Sequence, residues 1–344
     1  MYSGPGTEAK ALGGALLTKA RFLCYRDDPN PICSNKLYVV EDSSRPGQAA
    51  TELATDGNIA TISPALAYKN STKHEPRNAP KCLPGHLRLR YIHNLSCSKP
   101  LSSFSSSKEM MVAVYDAYVA HHDAFRLCNI LHRDIGVKNI IIKRDGRGAL
   151  IDWDIAHEVV CKPPRQRSGT WQFMSTLALE FPNEPHTLQD ELESFVLVAL
   201  YLILRHLRHS EIVLGVAYAM DKIFDSITIL EDGATLGGYG KRSVLSDGTW
   251  IGVDFTVTDN EPLTEWLYTV MEIVAQWHNY YFASRIEEAR RANASRCRMQ
   301  DSCVLRFEDL ALKDHGSLER TWKEALARCD WPSDDKLVDH LLTS

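Results

Sequence analysis

Residues 131–156 read Leu-His-Arg-Asp-Ile-Gly-Val-Lys-Asn-Ile-Ile-Ile-Lys-Arg-Asp-Gly-Arg-Gly-Ala-Leu-Ile-Asp-Trp-Asp-Ile-Ala, and this stretch decides the fold. Ile140-Ile141-Ile142-Lys143 is an apolar, β-branched run and predicts a strand. Asp145-Gly146 is a hairpin turn signal, because these residues accept the left-handed backbone that such turns require. Ala149 to Trp153 predicts the returning strand. Antiparallel pairing then sets Asn139, at the start of one strand, beside Asp152, at the end of the other. Asp134 sits in the loop just before. Two carboxylates and a carboxamide therefore converge at one end of a hairpin. Oxygen ligands of this kind suit Mg²⁺, which takes one or two carboxylates together with substrate phosphates. A carboxylate outside the metal shell can accept a proton from an incoming hydroxyl. The bland alternative is that Asp134 caps a helix, Asn139 satisfies a turn and Asp152 ends a strand. The spacing weighs against it: Asn139 comes five residues after Asp134, Asp152 thirteen after Asn139, and both apolar strands lie between.

Outward from this stretch, composition sets the bounds. The 344 residues are 44% hydrophobic and 24% charged, ordinary globular values with ample material for a core. The length predicts two domains or one two-lobed domain. Net charge is −5 with both signs mixed, and no Lys/Arg run marks a nucleic-acid face. The longest apolar run, Phe195 to Leu204, is too short to span a bilayer and predicts a buried helix. The first eleven residues are small and polar, unlike a signal peptide. The nine cysteines form no C-x-x-C pair and no Cys/His metal spacing, and an odd number suits reduced thiols. These features predict an intracellular protein, cytoplasmic or nuclear, with no membrane and no nucleic-acid partner.

Along the chain, Ala15 to Tyr25 and Lys36 to Val40 predict strands around the turn Asp27-Asp28-Pro29-Asn30-Pro31. Residues 48–59 predict a short helix, and 69–86 a loop. Leu87 to Ile92 alternates as a half-exposed strand does. From about Lys108 to Cys128 the pattern turns helical, with Met111, Val114, Tyr115, Tyr118 and Val119 on one face. The character thus shifts from strands to helices near residue 95, which divides the chain into 1–94 and 95–344. Leu192 to Ile203 predicts a helix apolar all round. Leu263, Trp266, Leu267, Val270, Ile273, Val274 and Trp277 form a helical stripe, the core face of a helix. Residues 286–300 are charged and expected to be solvated.

The His132-Arg133-Asp134 loop, with Asn139 and then Asp152, resembles the protein-kinase catalytic loop H-R-D-x-x-x-x-N followed by the metal-binding D-F-G. The last motif here reads Asp152-Trp153-Asp154. The stretch is more similar to the fungal-type protein kinase family, with its H-R-D-I-S-x-x-N-I and L-I-D-W-D-L-A patterns. Ser168 to Ser175 resembles that family's activation-segment end, and His186 to Leu200 its D-D-L-E-S-F helix. Leu37 to Arg45 resembles its V-I-K-D-S-W-R strand, and Gly237-Gly238 with Lys241 also fits. The similarity covers residues 12–245 and is densest at 131–203. It implies an α+β, two-lobed kinase-like fold: a small β-rich N-lobe (1–94), truncated or degenerate, and a larger helical C-lobe (95–344). It implies ATP and Mg²⁺ as cofactors and a protein Ser/Thr hydroxyl as acceptor. Asp134 would orient the acceptor hydroxyl and take its proton. Asn139 and Asp152 would hold metal against the phosphates. Thr170 would touch the catalytic loop, and Arg133 would pair with a phosphorylated or acidic activation segment. His132 would support the loop structurally. Ser168 and Thr170 stand where phosphorylation would act.

Four departures keep other readings open. The strand lysine that grips ATP aligns with Glu41, and its usual helix partner would be Glu52. At about 4 Å and an effective dielectric near 20, roughly 4 kcal/mol of attraction becomes repulsion. Lys19 or Arg21 could supply a relocated cation. Gly13-Gly14 is the only remnant of a glycine-rich phosphate loop. Gly136 stands where many Ser/Thr kinases place a lysine, and Lys138 could supply that charge or be merely solvated. Glu191 replaces an aspartate that braces the loop. Three functions are compatible with this pattern: an active Ser/Thr protein kinase, a pseudokinase acting as a binding scaffold, or a small-molecule kinase of the aminoglycoside type. Arg133 argues against the third.

Overall fold

The computed structural model describes residues 23–24, 36–42, 87–93, 98–153, 155–159, 168–210, 215–249, 251–252, 254–293, 306–336 and 339–341. The chain mixes helix and sheet, with helices in the majority and sheets of two or three short strands. It forms two compact units, one of residues 1–103 and 112–168, the other of residues 104–111 and 169–344.

In the first unit, β1 (Leu23–Cys24), β2 (Lys36–Asp42) and β3 (Leu87–His93) form an antiparallel sheet in that order. The register sets Lys36 opposite His93 and Asp42 opposite Leu87. The strands expected at 36–40 and 87–92 are thus present, each slightly longer than expected. The helix expected at 48–59, the loop at 69–86, Gly13-Gly14, Lys19, Arg21 and Glu52 lie outside the described residues.

Strand β4 (Lys99–Pro100) precedes helix α1 (Ser107–Cys128), whose residues through Met111 group with the second unit. Its expected start at Lys108 is one residue late. Glu109 in the first turn and Arg126 in the last complement the helix dipole. Val114 and Tyr118 are buried as expected, but Tyr115 and Val119 are only half-buried. The buried face is instead completed by Ala113, Ala117, Ala120 and Ala124, small residues that let other backbone come close. After β5 (Ile130–Leu131), the hairpin β6 (Ile140–Ile142) and β7 (Gly148–Leu150) pairs Ile140 with Leu150 and Ile142 with Gly148. A Cβ added at Gly148 would stand 2.0 Å from the Ala113 carbonyl oxygen, so the strand lies directly against the helix backbone. Asp116, one turn along, accepts from the Gly148 N–H at 2.8 Å and from the Arg147 guanidinium, fastening the hairpin to α1.

The turn forms as its residues dictate. Gly146 N–H donates to Lys143 O at 3.0 Å, Lys143 N–H to Arg147 O at 2.8 Å, and Gly146 takes φ +75°. That is a three-residue loop closing on a left-handed glycine. Asp145 Oδ1 accepts from Arg147 N–H at 3.0 Å. Strand β8 (His157–Glu158) pairs antiparallel with β5.

The second unit holds α2 (Thr176–Glu180), α3 (Leu188–His206), α4 (Val216–Met220), the β9 (Thr228–Ile229) and β10 (Thr235–Leu236) hairpin, α5 (Tyr239–Asp247), α6 (Glu261–Asn293) and α7 (Gly316–Ala327). Thr187 and Asp190 form a reciprocal capping box at the start of α3. Phe195 to Leu200 are all fully buried, as expected of the apolar run. The expectation that 192–203 is apolar all round needs correction: Glu193 lies within it, also fully buried, with Ser194 beside it in sequence. Burial is tolerated because the carboxylate is paired. The stripe from Leu263 to Trp277 is buried throughout, and Trp266 meets Trp322 of α7 with ring centroids 4.7 Å apart. Helix α6 runs on through the charged, exposed residues expected from 286. The C-terminal segment is strapped to its unit by Asp335, which accepts from Ser107 N–H (2.8 Å) and Asn260 Nδ2 (3.0 Å), and by Asp339, which accepts from Arg205 Nε at 2.8 Å.

Candidate active site

The loop 132–139 is held by a chain of short bonds. His132 is fully buried. Its Nδ1 accepts from Asp134 N–H at 3.3 Å, so Nε2 carries the proton and donates to Ile151 O at 2.9 Å. The ring also meets Trp153 edge-on at 4.5 Å, and Trp153 Nε1–H donates to Leu150 O at 3.2 Å. The structural support expected of His132 therefore takes a definite form: an imidazole bonded through both ring nitrogens, tying the loop to the end of β7.

Asn139 completes the closure. Its Nδ2 donates to Asp134 O at 2.7 Å and to the Asp134 carboxylate Oδ2 at 2.9 Å. With both amide protons so engaged, Oδ1 is the oxygen of Asn139 suited to a cation. The residue is buried, and its backbone carbonyl accepts from Ile151 N–H at 2.9 Å. That bond continues the hairpin ladder by one step, setting Asn139 opposite Ile151. The returning strand expected to reach Trp153 stops at Leu150, for a visible reason. Asp152 takes φ +64°, which no strand residue can hold, and turns the chain out of the ladder beside Asn139. Arg133 is likewise left-handed, at φ +70°. Each such backbone costs about 1–2 kcal/mol relative to a regular conformation. Strain of this kind, held in place by surrounding bonds, gathers at functional sites.

Of the residues singled out by sequence, Asp134 and Asn139 are in direct contact, with Asp152 at the adjoining ladder end. Lys138 is exposed in the 3₁₀ turn Val137–Asn139. Thr170 belongs to the second unit, where its carbonyl accepts from Phe173 N–H (2.9 Å) and Met174 N–H (3.1 Å). Glu41 lies in β2, opposite Arg88 in the register. Asp154 and Glu52 are outside the described residues.

Several other residues make bonds that the sequence reading did not assign. In the second unit, Ser175 Oγ donates to Asp190, and Thr176 donates through both N–H and Oγ1 to Glu193 Oε1 at 2.7 Å. His278 Nε2 donates to Glu193 Oε2 at 2.8 Å. Burial works to raise the Glu193 carboxyl, but the charge and hydrogen bond of His278 and the two bonds from Thr176 outweigh it and hold it below the ordinary range. Glu191 Oε1 accepts from His186 at 2.7 Å. The signal for Glu193 was available: an acidic residue inside a fully apolar helix demands a partner. No sequence pattern names that partner, 85 residues away.

Among the described residues, no group of three or more His, Cys, Asp or Glu could hold a metal ion, and no helix is long and apolar enough to cross a membrane. One carboxylate, one amide oxygen, water and phosphate are the donor set that suits Mg²⁺ and not a dedicated protein cage.

A His-Arg-Asp loop clamped by an asparagine five residues on, at the open end of a hairpin that ends in aspartate, is the arrangement of the protein-kinase-like class. Residues 35–203 match the family model described as fungal protein kinase. No curated protein matches the chain.

Proposed function

We propose that the chain is an ATP-dependent protein kinase of two-lobed architecture that transfers the γ-phosphoryl group to Ser or Thr hydroxyls of proteins. The observation that carries this reading is the pair of hydrogen bonds from Asn139 Nδ2 to Asp134, which fixes the loop while leaving the Asn139 side-chain oxygen for a cation. In this reading Asp134 holds the acceptor hydroxyl and takes its proton. Asn139 and Asp152 hold Mg²⁺, which when bound neutralises charge on the phosphates. Most of the catalysis then comes from positioning and electrostatics, which a pre-fastened loop supplies at no cost during the reaction. Lys138, exposed within the loop, would supply positive charge to the phosphates. Thr170 would touch the catalytic loop, Arg133 would pair with a phosphorylated or acidic activation segment, and Glu52 belongs with the nucleotide site.

Calorimetric binding of ATP with and without Mg²⁺ tests the assignment. Asp152→Asn is expected to abolish the Mg²⁺-dependent part, whereas Asp134→Asn keeps binding and loses transfer. Two variants that both behave as wild type would remove the site from residues 134–152.

Glu41 favours a second reading, a pseudokinase that binds partners through the same fold. In the sequence resemblance it stands where the family has a lysine, and a carboxylate there would repel ATP phosphates. Glu41→Lys raises ATP affinity if that position faces the nucleotide. Absence of nucleotide binding by both the wild type and Glu41→Lys would favour the scaffold.

A further inference from the structure

Lys241, in α5, is 1% exposed, and its ammonium is held by backbone carbonyls. Its Nζ donates to Trp171 O at 2.9 Å and to Met174 O at 2.7 Å. These two carbonyls bracket the 3₁₀ turn Trp171–Phe173, which Thr170 O closes by accepting from Phe173 and Met174 N–H. A turn this short leaves carbonyls without intrahelical donors, and buried ones must find a donor elsewhere. One ammonium answers both.

The approach is built for this contact. A Cβ at Gly237 would stand 2.5 Å from the Trp171 ring, and a Cβ at Gly240 would stand 1.9 Å from Lys222 O. Two glycines therefore let the chain entering α5 pass close enough for Lys241 to reach the turn. The acidic groups that bear on the ammonium are Glu193 of α3, already engaged by Thr176 and His278, and Asp225, which accepts from Gln172 Nε2 at 2.8 Å. Burial pushes the lysine down to about 7, against the pull of both carboxylates. Beyond the turn, Ser175 and Thr176 are fixed to Asp190 and Glu193. The segment is thus fastened from two sides, while Gly169 is exposed and Trp171 and Gln172 remain half-exposed.

We propose that Lys241 is a positioning residue that sets the backbone of the segment 169–175 on which a protein acceptor rests. The acceptor half of this statement rests on the kinase reading above; the anchoring half does not.

Amide hydrogen exchange of the full chain tests the anchor without reference to activity. In Lys241→Met, exchange at Phe173 and Met174 is expected to accelerate at least tenfold, while the α6 amides of Val270 and Val274 keep wild-type rates. Lys241→Gln removes the buried charge but keeps an N–H donor, and gives an intermediate value. Steady-state transfer then tests the positioning role: KM for the protein acceptor rises at least fivefold, and KM for ATP stays within twofold. Unchanged exchange at Phe173 and Met174 in folded variants overturns the proposal. So does acceleration spread evenly over α3 and α6, which would make Lys241 a general core residue. A raised KM for ATP, with acceptor KM unmoved, overturns the positioning role alone. If the wild type transfers no phosphate, the kinase reading fails and the exchange result still decides the anchor.

Discussion

At the scale of single residues, the site depends on close approaches more than on charge. Gly148 is the clearest case, because a side chain there must displace the Ala113 backbone. Gly148→Ala is expected to destabilise the chain by about 1–3 kcal/mol through overpacking, seen as a lower urea midpoint with unchanged slope. An unaltered midpoint would mean that the hairpin does not press on α1. The contact of Asp134 with Asn139 at the end of the hairpin was legible in the sequence because the spacing, across two apolar strands and a turn, admits few other geometries. Gly148 was not, because its neighbour Ala113 lies 35 positions earlier and only the packed helix reveals the contact. The left-handed Asp152 was equally hidden, since nothing in Leu-Ile-Asp-Trp announces a strand that ends at Leu150.

At the scale of elements, α3 organises the second unit. Its N-terminus caps itself through Thr187 and Asp190, and its first buried turn offers carboxylates to Ser175 and Thr176. Glu193→Ala strands the buried His278 and both Thr176 donors. Breaking one partner of such a buried pair costs about 3–5 kcal/mol. Thermal unfolding of that variant is expected to show a drop of that size; a change below about 1 kcal/mol would show that the pair contributes little. The helix itself was legible from its apolar run, and α1 and α6 from their periodicity. The polar fastening was not, because hydrogen-bond partners distant in sequence carry no period.

At the scale of the whole molecule, pH reads out the burial of titratable groups. His206 is 8% exposed and edge-on to Phe104. Burial, assisted by Lys336, Arg205 and His340 and opposed by Asp339, lowers its pKa to about 4. A folded-state value below the ordinary 6.5 means that the unfolded chain binds the proton more readily. Stability is therefore full above about pH 6.5 and declines as pH falls toward 4, by up to about 3 kcal/mol from this group. Denaturation midpoints between about pH 7 and 4 should trace that decline, and His206→Gln should flatten it; an equal slope in the variant would assign the loss to other groups.

The central claim is that the loop fastened by Asn139 transfers phosphate. Transfer of labelled γ-phosphate from ATP with Mg²⁺, to the chain itself and to a generic basic protein, tests it most directly, with Asp134→Asn measured alongside. Transfer by the wild type that disappears in the variant is the predicted result. No transfer above the variant, from wild-type protein that is folded, would contradict it.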